Sequence, residues 1–591
     1  MFKKLNTLTL LVFFGILIYV PSLFTGFNWD DFFYYSRMEQ LQGQNKIIDF
    51  TSYHVFSGIP EEMKVLKTEG YMPWFTEDNL HVKMFRYLPA ILFSVDYNLF
   101  KKNIELYHLH SLLWWALILI FLYKTVAFLT DKKMAFVALV LFICSDINSM
   151  SVSWLSGRHL LVSLALGIIS FYFYITGRQQ HSRKRIIACY TILLLGLFTS
   201  ESILGIFSYF LMYELFLNKD ALKKRFLYVL GLITLGLSYL VMYKILGYGV
   251  SNSYFYLNPF KNPIRFLTNA PQFLITNSGG LISGAPIDQW FFAPSSQLWL
   301  ILSGLISTAA FIFILSRLYK TVSAETKKIL LFAGVGCLLA MAPILASLPN
   351  RRTLVYANVG FCILVTSLFI HFFKRVSGSN KKNEIFSGVM FFLIIGVHVL
   401  YLGFNTFQTQ IDLYHASLSM KKLVQSPDLA IANPETKNVV VLLAPNPTIE
   451  YVPIAYQFYN QTNFKSWHFL SLSPLQHQFT KVSDTKLSMK ILDGEMLTSA
   501  SEIMYRGPDQ PYHVKDRIDL GIATAEVMQM GPHQAPTQID FDFTKPLDSE
   551  DFLFVTTPSE SFRTNQGLMR YYTMTETAIF KKVNFFETTT H

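Results

Sequence analysis

Apolar residues run along this chain in long blocks, with short polar stretches between them. A helix needs about 20 apolar residues to cross the hydrocarbon core of a bilayer. Runs of that kind predict about eleven spans: 6–24, 104–129, 134–150, 158–177, 186–200, 202–217, 226–247, 298–317, 328–347, 353–373 and 385–405. Charge decides that 186–217 is two helices hinged at Ser200-Glu201-Ser202. With two helices there, the basic clusters at Lys3-Lys4, Lys132-Lys133, 178–185, 219–225, 317–328 and 374–382 all fall on one side, as the positive-inside rule requires. The N-terminus is then cytoplasmic. The outer side receives a loop over 25–103, short turns at 146–158 and around Glu201, a second loop over 248–297, the stretch Pro349-Asn350-Arg351-Arg352, and everything after about 406.

Two parts of the outer loops are themselves apolar. Residues 85–100 carry Arg86 and Asp96 and are short for a crossing, which predicts an amphipathic helix lying in the interface. Residues 264–281, interrupted by Pro271 and closed by Gly279-Gly280, read the same way. Together they read either as the walls of a lateral groove beside the Asp pair or as passive surface helices. After 405 the hydropathy falls. A helix over 405–425 leaves the membrane and breaks at Ser426-Pro427. Strands follow over 438–444, 467–472, 486–492, 539–543, 552–557 and 577–583. The fold class is therefore a polytopic α-helical membrane protein, with a transmembrane domain over 1–405 and an extracytoplasmic α+β domain over 406–591. The histidines of that second domain (His468, His477, His513, His533, His591) read as ordinary surface residues.

Composition agrees. Of 591 residues, 52% are hydrophobic and only 15% are charged, against about 25% charged in an average globular chain. The net charge of +11 does not point to nucleic acid, because the Lys and Arg residues sit between apolar runs. Cys144, Cys189, Cys337 and Cys362 lie in or beside those runs and suggest neither a disulfide framework nor a Cys-based metal site. Met1-Phe2-Lys3-Lys4 followed by an apolar stretch reads as an uncleaved signal anchor.

The stretch Gly26-Phe27-Asn28-Trp29-Asp30-Asp31-Phe32-Phe33 places two carboxylates where the first span emerges. Ionisable groups at such a boundary are costly and usually functional, and the aromatic shell desolvates them and raises their basicity. Other polar residues at outer helix ends are Arg86, Asp96, His108, His110, Asp146, Arg158, His159, Glu201, Asp288, Arg351 and Arg352. Arginine grips phosphate through two hydrogen bonds, so Arg86, Arg158, Arg351 and Arg352 are candidates for an anionic lipid. Any one of them alone is better read as a snorkelling anchor. Together, on the side opposite the basic clusters, they need a local reason. His108 and His110 point about 200° apart on a helix and so do not form a metal pair. Glu201 needs a partner, either Arg158 or a backbone amide.

These motifs, taken in order, resemble the GT-C family of polytopic glycosyltransferases. Within it they resemble the protein O-mannosyltransferase branch, including the transmembrane, tetratricopeptide-repeat mannosyltransferases. The matching features are Asp30-Asp31 after the first span, Phe85-Arg86-Tyr87-Leu88-Pro89 with Tyr107-His108 beyond it, Ser156-Gly157-Arg158-His159, Thr199-Ser200-Glu201, and Asn350-Arg351-Arg352-Thr353. The chain departs from the family at Ser111, at Ser145-Asp146 and at Met150, and it has no repeats. The resemblance implies a polyprenyl-phosphate-linked sugar donor and inverting transfer on the outer face to a hydroxyl of a protein, lipid or glycan. Asp30 would be the general base, assisted by Asp31. Arg86, Arg158, Arg351, Arg352 and His108 would hold the lipid phosphate, with Glu201 and Asp96 in support. No cofactor is required if arginine supplies the positive charge, though the Asp30-Asp31 pair could hold a divalent cation. A bacterial inner membrane is the expected location. The rival readings are a transporter or flippase, for which inverted repeats and broken helices at the bilayer midplane are the signature, and a ligase of lipid-linked glycans.

Overall fold

The computed structural model of the chain describes residues 6–376, 381–445, 447–557, 569–570 and 578–580. Lys3-Lys4 and His591 lie outside them. The first apolar run forms α1 (Thr7–Ile18), capped by the Asn6 side chain, and a 3₁₀ turn over Val20–Phe24. Outer loop residues follow as α2 (Asp30–Gly43), α3 (Pro60–Thr68) and α4 (Tyr87–Phe100), with β1 (His54–Ser57) and β2 (His81–Lys83) between them. The membrane helices resume with α5 (Ile104–Leu129) and α6 (Lys132–Cys144), the latter started by the Asp131 carboxylate accepting from the backbone N–H of Lys133 and Met134. Next come the short α7 (Ser149–Ser153), then α8 (Arg158–Gln179), α9 (Arg183–Leu197), α10 (Leu204–Met212) and α11 (Leu222–Ile245). The second outer loop holds β3 (Gly249–Ser251), α12 (Pro263–Ser283) and α13 (Gln289–Phe292). The helical part closes with α14 (Gln297–Thr321), α15 (Ala324–Ala340), α16 (Val355–Val376), α17 (Lys381–Ile395) and α18 (Leu402–Val424).

Helices thus occupy every segment the hydropathy marks. Among the described residues, eight are long and apolar enough to cross a membrane, and counting the bent pair Lys132–Cys144 and Asp146–Ser153 as one span makes nine. The expected eleven included α9 and α10. They are 15 and 9 residues long, separated by the polar Ser200-Glu201-Ser202 turn, and by length each falls short of a full crossing. The chain is an integral membrane protein of the polytopic helical class, and it carries a C-terminal α+β part.

Close packing is set by small residues. A Cβ added to Gly304 of α14 would meet the Ile275 carbonyl oxygen of α12 at 2.4 Å, so these two helices approach to a distance that only glycine allows. The two outer loops are joined by a three-stranded antiparallel sheet in the order β1-β2-β3, in which His81 pairs with Ser251 and Lys83 with Gly249. The last membrane helix passes through a π segment at Gly396–Tyr401 and continues unbroken as α18 to Val424.

Beyond α18 lie β4 (Asn438–Val441), α19 (Val452–Asn460), β5 (Ser466–Phe469), β6 (His477–Lys481), β7 (Lys486–Ile491), β8 (Arg517–Asp519), β9 (Ala523–Met530), β10 (Pro536–Phe543), β11 (Phe552–Thr556), β12 (Met569–Arg570) and β13 (Ala578–Phe580). They form a six-stranded sheet in the order β13-β6-β7-β10-β9-β8 and a four-stranded sheet in the order β12-β11-β4-β5. The second sheet contains parallel pairs β11–β4 and β4–β5. Strands β6, β8, β9 and β12 were not expected from the sequence. Two of the histidines read as surface residues are buried: His468 is 1% exposed and His477 0%, each bonded to a serine hydroxyl. His468 lies on β5, buried along its whole length, and His477 at the buried start of β6, which a scattered polar pattern does not reveal.

Two hydrophobic cores form. One fills the helical bundle. The other joins the first outer loop to the C-terminal domain, with Phe27, Phe32, Trp74 and Phe75 packed among residues of β4, α19 and β10. Trp74 donates its Nε1–H to the Leu470 carbonyl at 2.9 Å, and Arg506 pairs with Glu77 at 2.9 Å. At Gly70 (φ +77°) an added Cβ would meet the Trp467 carbonyl at 2.3 Å. The outer loop and the C-terminal domain are therefore packed as one body, although the sequence divides them at 405.

Candidate functional site

The organising feature is the N-terminus of α2. Trp29, immediately before it, has φ +49° and ψ −117°, a conformation that L-residues avoid and that persists where the surroundings over-determine it. That turn puts Asp30 and Asp31 in the first helical turn, where the helix dipole favours negative charge. The two carboxylates then separate in role.

Asp31 is 0% exposed. One oxygen accepts from the Asn28 N–H at 3.0 Å; the other accepts from the Ser156 N–H at 2.8 Å and from the Ser156 hydroxyl. Burial pushes its carboxyl up to about 7 against the pull of those hydrogen bonds. It fastens α2 to the turn that opens α8. Asp30 is half-buried and receives one hydrogen bond, from the Tyr451 hydroxyl to Oδ1 at 2.7 Å. Burial raises its carboxyl above the usual range; Tyr451, Arg352 and Arg86 pull it back down. Both guanidinium groups thus act on a carboxylate that is only half-buried.

The arginines also divide. Arg352 stacks its guanidinium over the Trp154 ring at 4.8 Å and has no carboxylate within ion-pair distance among the described residues. Trp154 is held by its own Nε1–H, donated to the Asn28 carbonyl at 3.2 Å, and by edge-on contact with Trp29. Arg86 lies over Tyr53 at 5.4 Å and reaches Glu201 Oε2 only at 3.4 Å. Glu201 also accepts from the Phe85 N–H and the Tyr243 hydroxyl. Its partner is therefore Arg86 and a backbone amide, where the sequence offered Arg158 or an amide.

Arg158 and Arg351 are committed elsewhere. Arg158 is 4% exposed; it pairs with Asp96 and donates to the Ser111 hydroxyl at 2.9 Å and the Tyr107 carbonyl at 2.6 Å. Asp96 also takes the His110 Nδ1 at 2.7 Å. Arg351 bridges Asp288 at 2.7 Å and Asp146 at 2.5 Å. His108 is buried at the α1–α2 junction, with Nε2 3.0 Å from the Thr25 hydroxyl. Arg158 and Arg351 are thus neutralised by carboxylates other than Asp30 and Asp31, as desolvated guanidinium groups require, and His108 is held by Thr25. Of the five residues expected to hold a lipid phosphate, the geometry brings Arg86 and Arg352 to Asp30 and builds Arg158, Arg351 and His108 into the frame.

Sequence reasoning missed the contribution of the C-terminal domain. Tyr451, on a 3₁₀ turn over Pro447–Tyr451 at the start of α19, closes over Asp30. Its neighbour Glu450 accepts a short hydrogen bond from the Tyr505 hydroxyl. The aromatic side chains of α19 seal this contact: Phe458 packs against Phe27 at 5.4 Å and Phe32 at 5.5 Å. The only available signal was the run Tyr451, Tyr456, Phe458, Tyr459, which looks like an ordinary amphipathic helix. A cleft of about 680 Å³ near Lys124, Lys132 and Lys133 lies at the opposite, basic end of the helices and takes no part in the cluster. Among the described residues no group of three or more His, Cys, Asp or Glu is placed to hold a metal ion.

No family model matches the sequence, and no curated protein does. Distant structural likenesses exist. The Archaeoglobus fulgidus oligosaccharyltransferase tethered with an acceptor peptide gives a TM-score of 0.37 at 12% identity, over 79% of this chain and 64% of that one. The archaeal oligosaccharyltransferase AglB from Archaeoglobus fulgidus, in complex with an inhibitory peptide and a dolichol-phosphate, gives 0.37 and 12%, over 78% and 64%. ArnT from Cupriavidus metallidurans bound to undecaprenyl phosphate gives 0.36 and 12%, over 77% and 84%. This chain therefore spans less than two thirds of the archaeal proteins it matches. Likenesses this distant carry no weight for the chemistry, which rests on the residues themselves.

Proposed function

We propose that this protein is a membrane glycosyltransferase of the GT-C type, moving a sugar from a polyprenyl-phosphate donor to an acceptor hydroxyl at the outer rim of its helices. The observation that carries the reading is the half-buried Asp30 carboxylate, hydrogen-bonded by Tyr451 and near enough to Arg352 and Arg86 for both to pull its carboxyl down. In the reaction the acceptor oxygen attacks the anomeric carbon from the face opposite the phosphate, while Asp30 takes the hydroxyl proton. The bond from the anomeric carbon to the phosphate oxygen breaks, and its electron pair leaves on the polyprenyl phosphate. That leaving group is already anionic and needs charge stabilisation rather than a proton, which Arg352 and Arg86 supply. Asp31 holds α2 in place. A bacterial inner membrane, with the N-terminus cytoplasmic, suits this scheme. The acceptor is a protein, lipid or glycan.

The test is Asp30→Asn beside Arg352→Ala, in membranes supplied with labelled polyprenyl-phosphate sugars. Asp30→Asn is expected to lower transfer by about 10²–10⁴-fold while donor lipid still binds, and Arg352→Ala to weaken donor binding. Transfer at the parental rate by Asp30→Asn would sink the proposal. Exchange of lipid-linked substrate without any new glycosidic bond would favour a transporter.

A further inference from the structure

The cleft of about 680 Å³ at the basic end of the helices lies between the start of α1, the last turns of α5 and the first turns of α6, with Tyr172 of α8 against it. Its volume falls within the roughly 300–1,000 Å³ of sites that hold small ligands. Its cations are Lys124 of α5 and Lys132 and Lys133, the first two residues of α6. All three are exposed, and among the described residues none has a carboxylate within ion-pair distance. Acids at the same end are already engaged. Asp131 accepts from the Lys133 and Met134 N–H groups, while Glu214 and Asp220 hold Arg178 and Lys224. The rest of the wall is mostly apolar, from Leu8, Ala127, Phe128, Phe136 and Val137. Phe136 is 43% exposed. Tyr123 and Tyr172 add amphipathic rings of the kind that sit at headgroup depth.

We propose that this cleft binds the headgroup of an anionic phospholipid, a role independent of the reading of Asp30. Three ammonium groups lining one cleft with no carboxylate among them attract an anion. The apolar wall beside them selects an anion that also carries hydrocarbon. A phospholipid supplies both: its phosphodiester meets the lysines, and its acyl chains follow Phe136 and Val137, one turn further along α6 into the span. Lysine suits a headgroup at the water boundary, because it is a compact, strongly hydrated point charge that imposes no bidentate orientation on the phosphate. Basic pockets between membrane helices are an established setting for such headgroups. The chain's own Met1-Phe2-Lys3-Lys4-Leu5, next in sequence to Asn6, brings two more positive side chains and does not neutralise the cleft. A lipid held there ties α1 to α5 and α6, and α1 leads directly into the segment that carries Asp30 and Asp31.

The test titrates the full-length protein in detergent micelles with phosphatidylglycerol, and native mass spectrometry counts the lipid retained. The lysines are exposed, so replacing them leaves the fold intact. Lys124→Gln is expected to weaken binding about fivefold, and Lys132→Gln with Lys133→Gln about 25-fold, at about 1 kcal/mol for each lysine near a membrane surface. Lys328→Gln with Lys374→Gln removes the same charge from the same end but outside the cleft, and should leave the affinity unchanged. Ala127→Phe keeps every charge and fills the cleft, and should also weaken binding. Phosphatidylcholine should bind far more weakly, and glycerol phosphate, which has the anion without the acyl chains, should not compete. An equal loss in the Lys328/Lys374 variant would overturn the proposal in favour of general surface charge. Parental affinity in Ala127→Phe would place the lipid elsewhere, and displacement by glycerol phosphate would assign the cleft to a soluble anion; either result overturns it.

Discussion

Removing the Asp96 carboxylate separates a frame residue from a ligand residue. Asp96 is 1% exposed and Arg158 4%, and their contact is supplemented by Ser111, the Tyr107 carbonyl and His110. Asp96→Ala leaves Arg158 charged, desolvated and short of its counter-ion. Breaking one half of such a pair costs about 3–5 kcal/mol, more than a hundredfold in the folding equilibrium. Replacing both partners with apolar side chains of similar volume is far less damaging, so Asp96→Leu with Arg158→Met is expected to recover most of the loss. The assay is denaturant unfolding of the purified full-length chain in micelles, with polyprenyl phosphate binding measured on the folded fraction. The frame role predicts a large loss of stability in the single variant, recovery in the double, and unchanged lipid binding in both. A double variant that unfolds like the parent yet fails to bind polyprenyl phosphate would refute the reasoning and return Arg158 to the donor site.

The remaining predictions are narrower. Tyr451→Phe removes a hydrogen bond that holds the Asp30 carboxyl down, so the carboxylate fraction at a given pH falls. The acid limb of the transfer-rate profile should move to higher pH, and a limb that stays put or moves lower would count against Tyr451 as the donor. Gly304→Val drives a side chain into the Ile275 carbonyl and should cost about 1–3 kcal/mol by overpacking. Thermal unfolding checks it, and parental stability would show that α12 and α14 separate freely.

The helical architecture was legible because its signal is coarse. An apolar run specifies a helix without any knowledge of packing, and the helix break falls at Ser200-Glu201-Ser202 as charge suggested, although α9 and α10 are too short to be the two crossings expected there. Asp30, Arg86 and Arg352 stood out as charges at the ends of apolar runs, away from the basic clusters. The division of labour among those charges did not. Arg158 and Arg352 look equivalent in a one-dimensional pattern; one pairs with Asp96, over sixty residues away, and the other lies over the Trp154 ring. Tyr451 reaches Asp30 across 421 positions, a separation at which local pattern carries no information. Strands such as β6, with the sequence His-Gln-Phe-Thr-Lys, lack the apolar alternation that marks a strand and are held by their neighbours.

Because Phe27 and Phe32 share their core with α19, and Tyr451 reaches across to Asp30, the bundle and the part beyond Val424 cannot be expressed as independent modules. A truncation at the end of α18 would strip the α2 aromatics of their cover and expose greasy surface to water. Chimaeras that exchange the distal part between related proteins would have to carry residues 25–103 along with it.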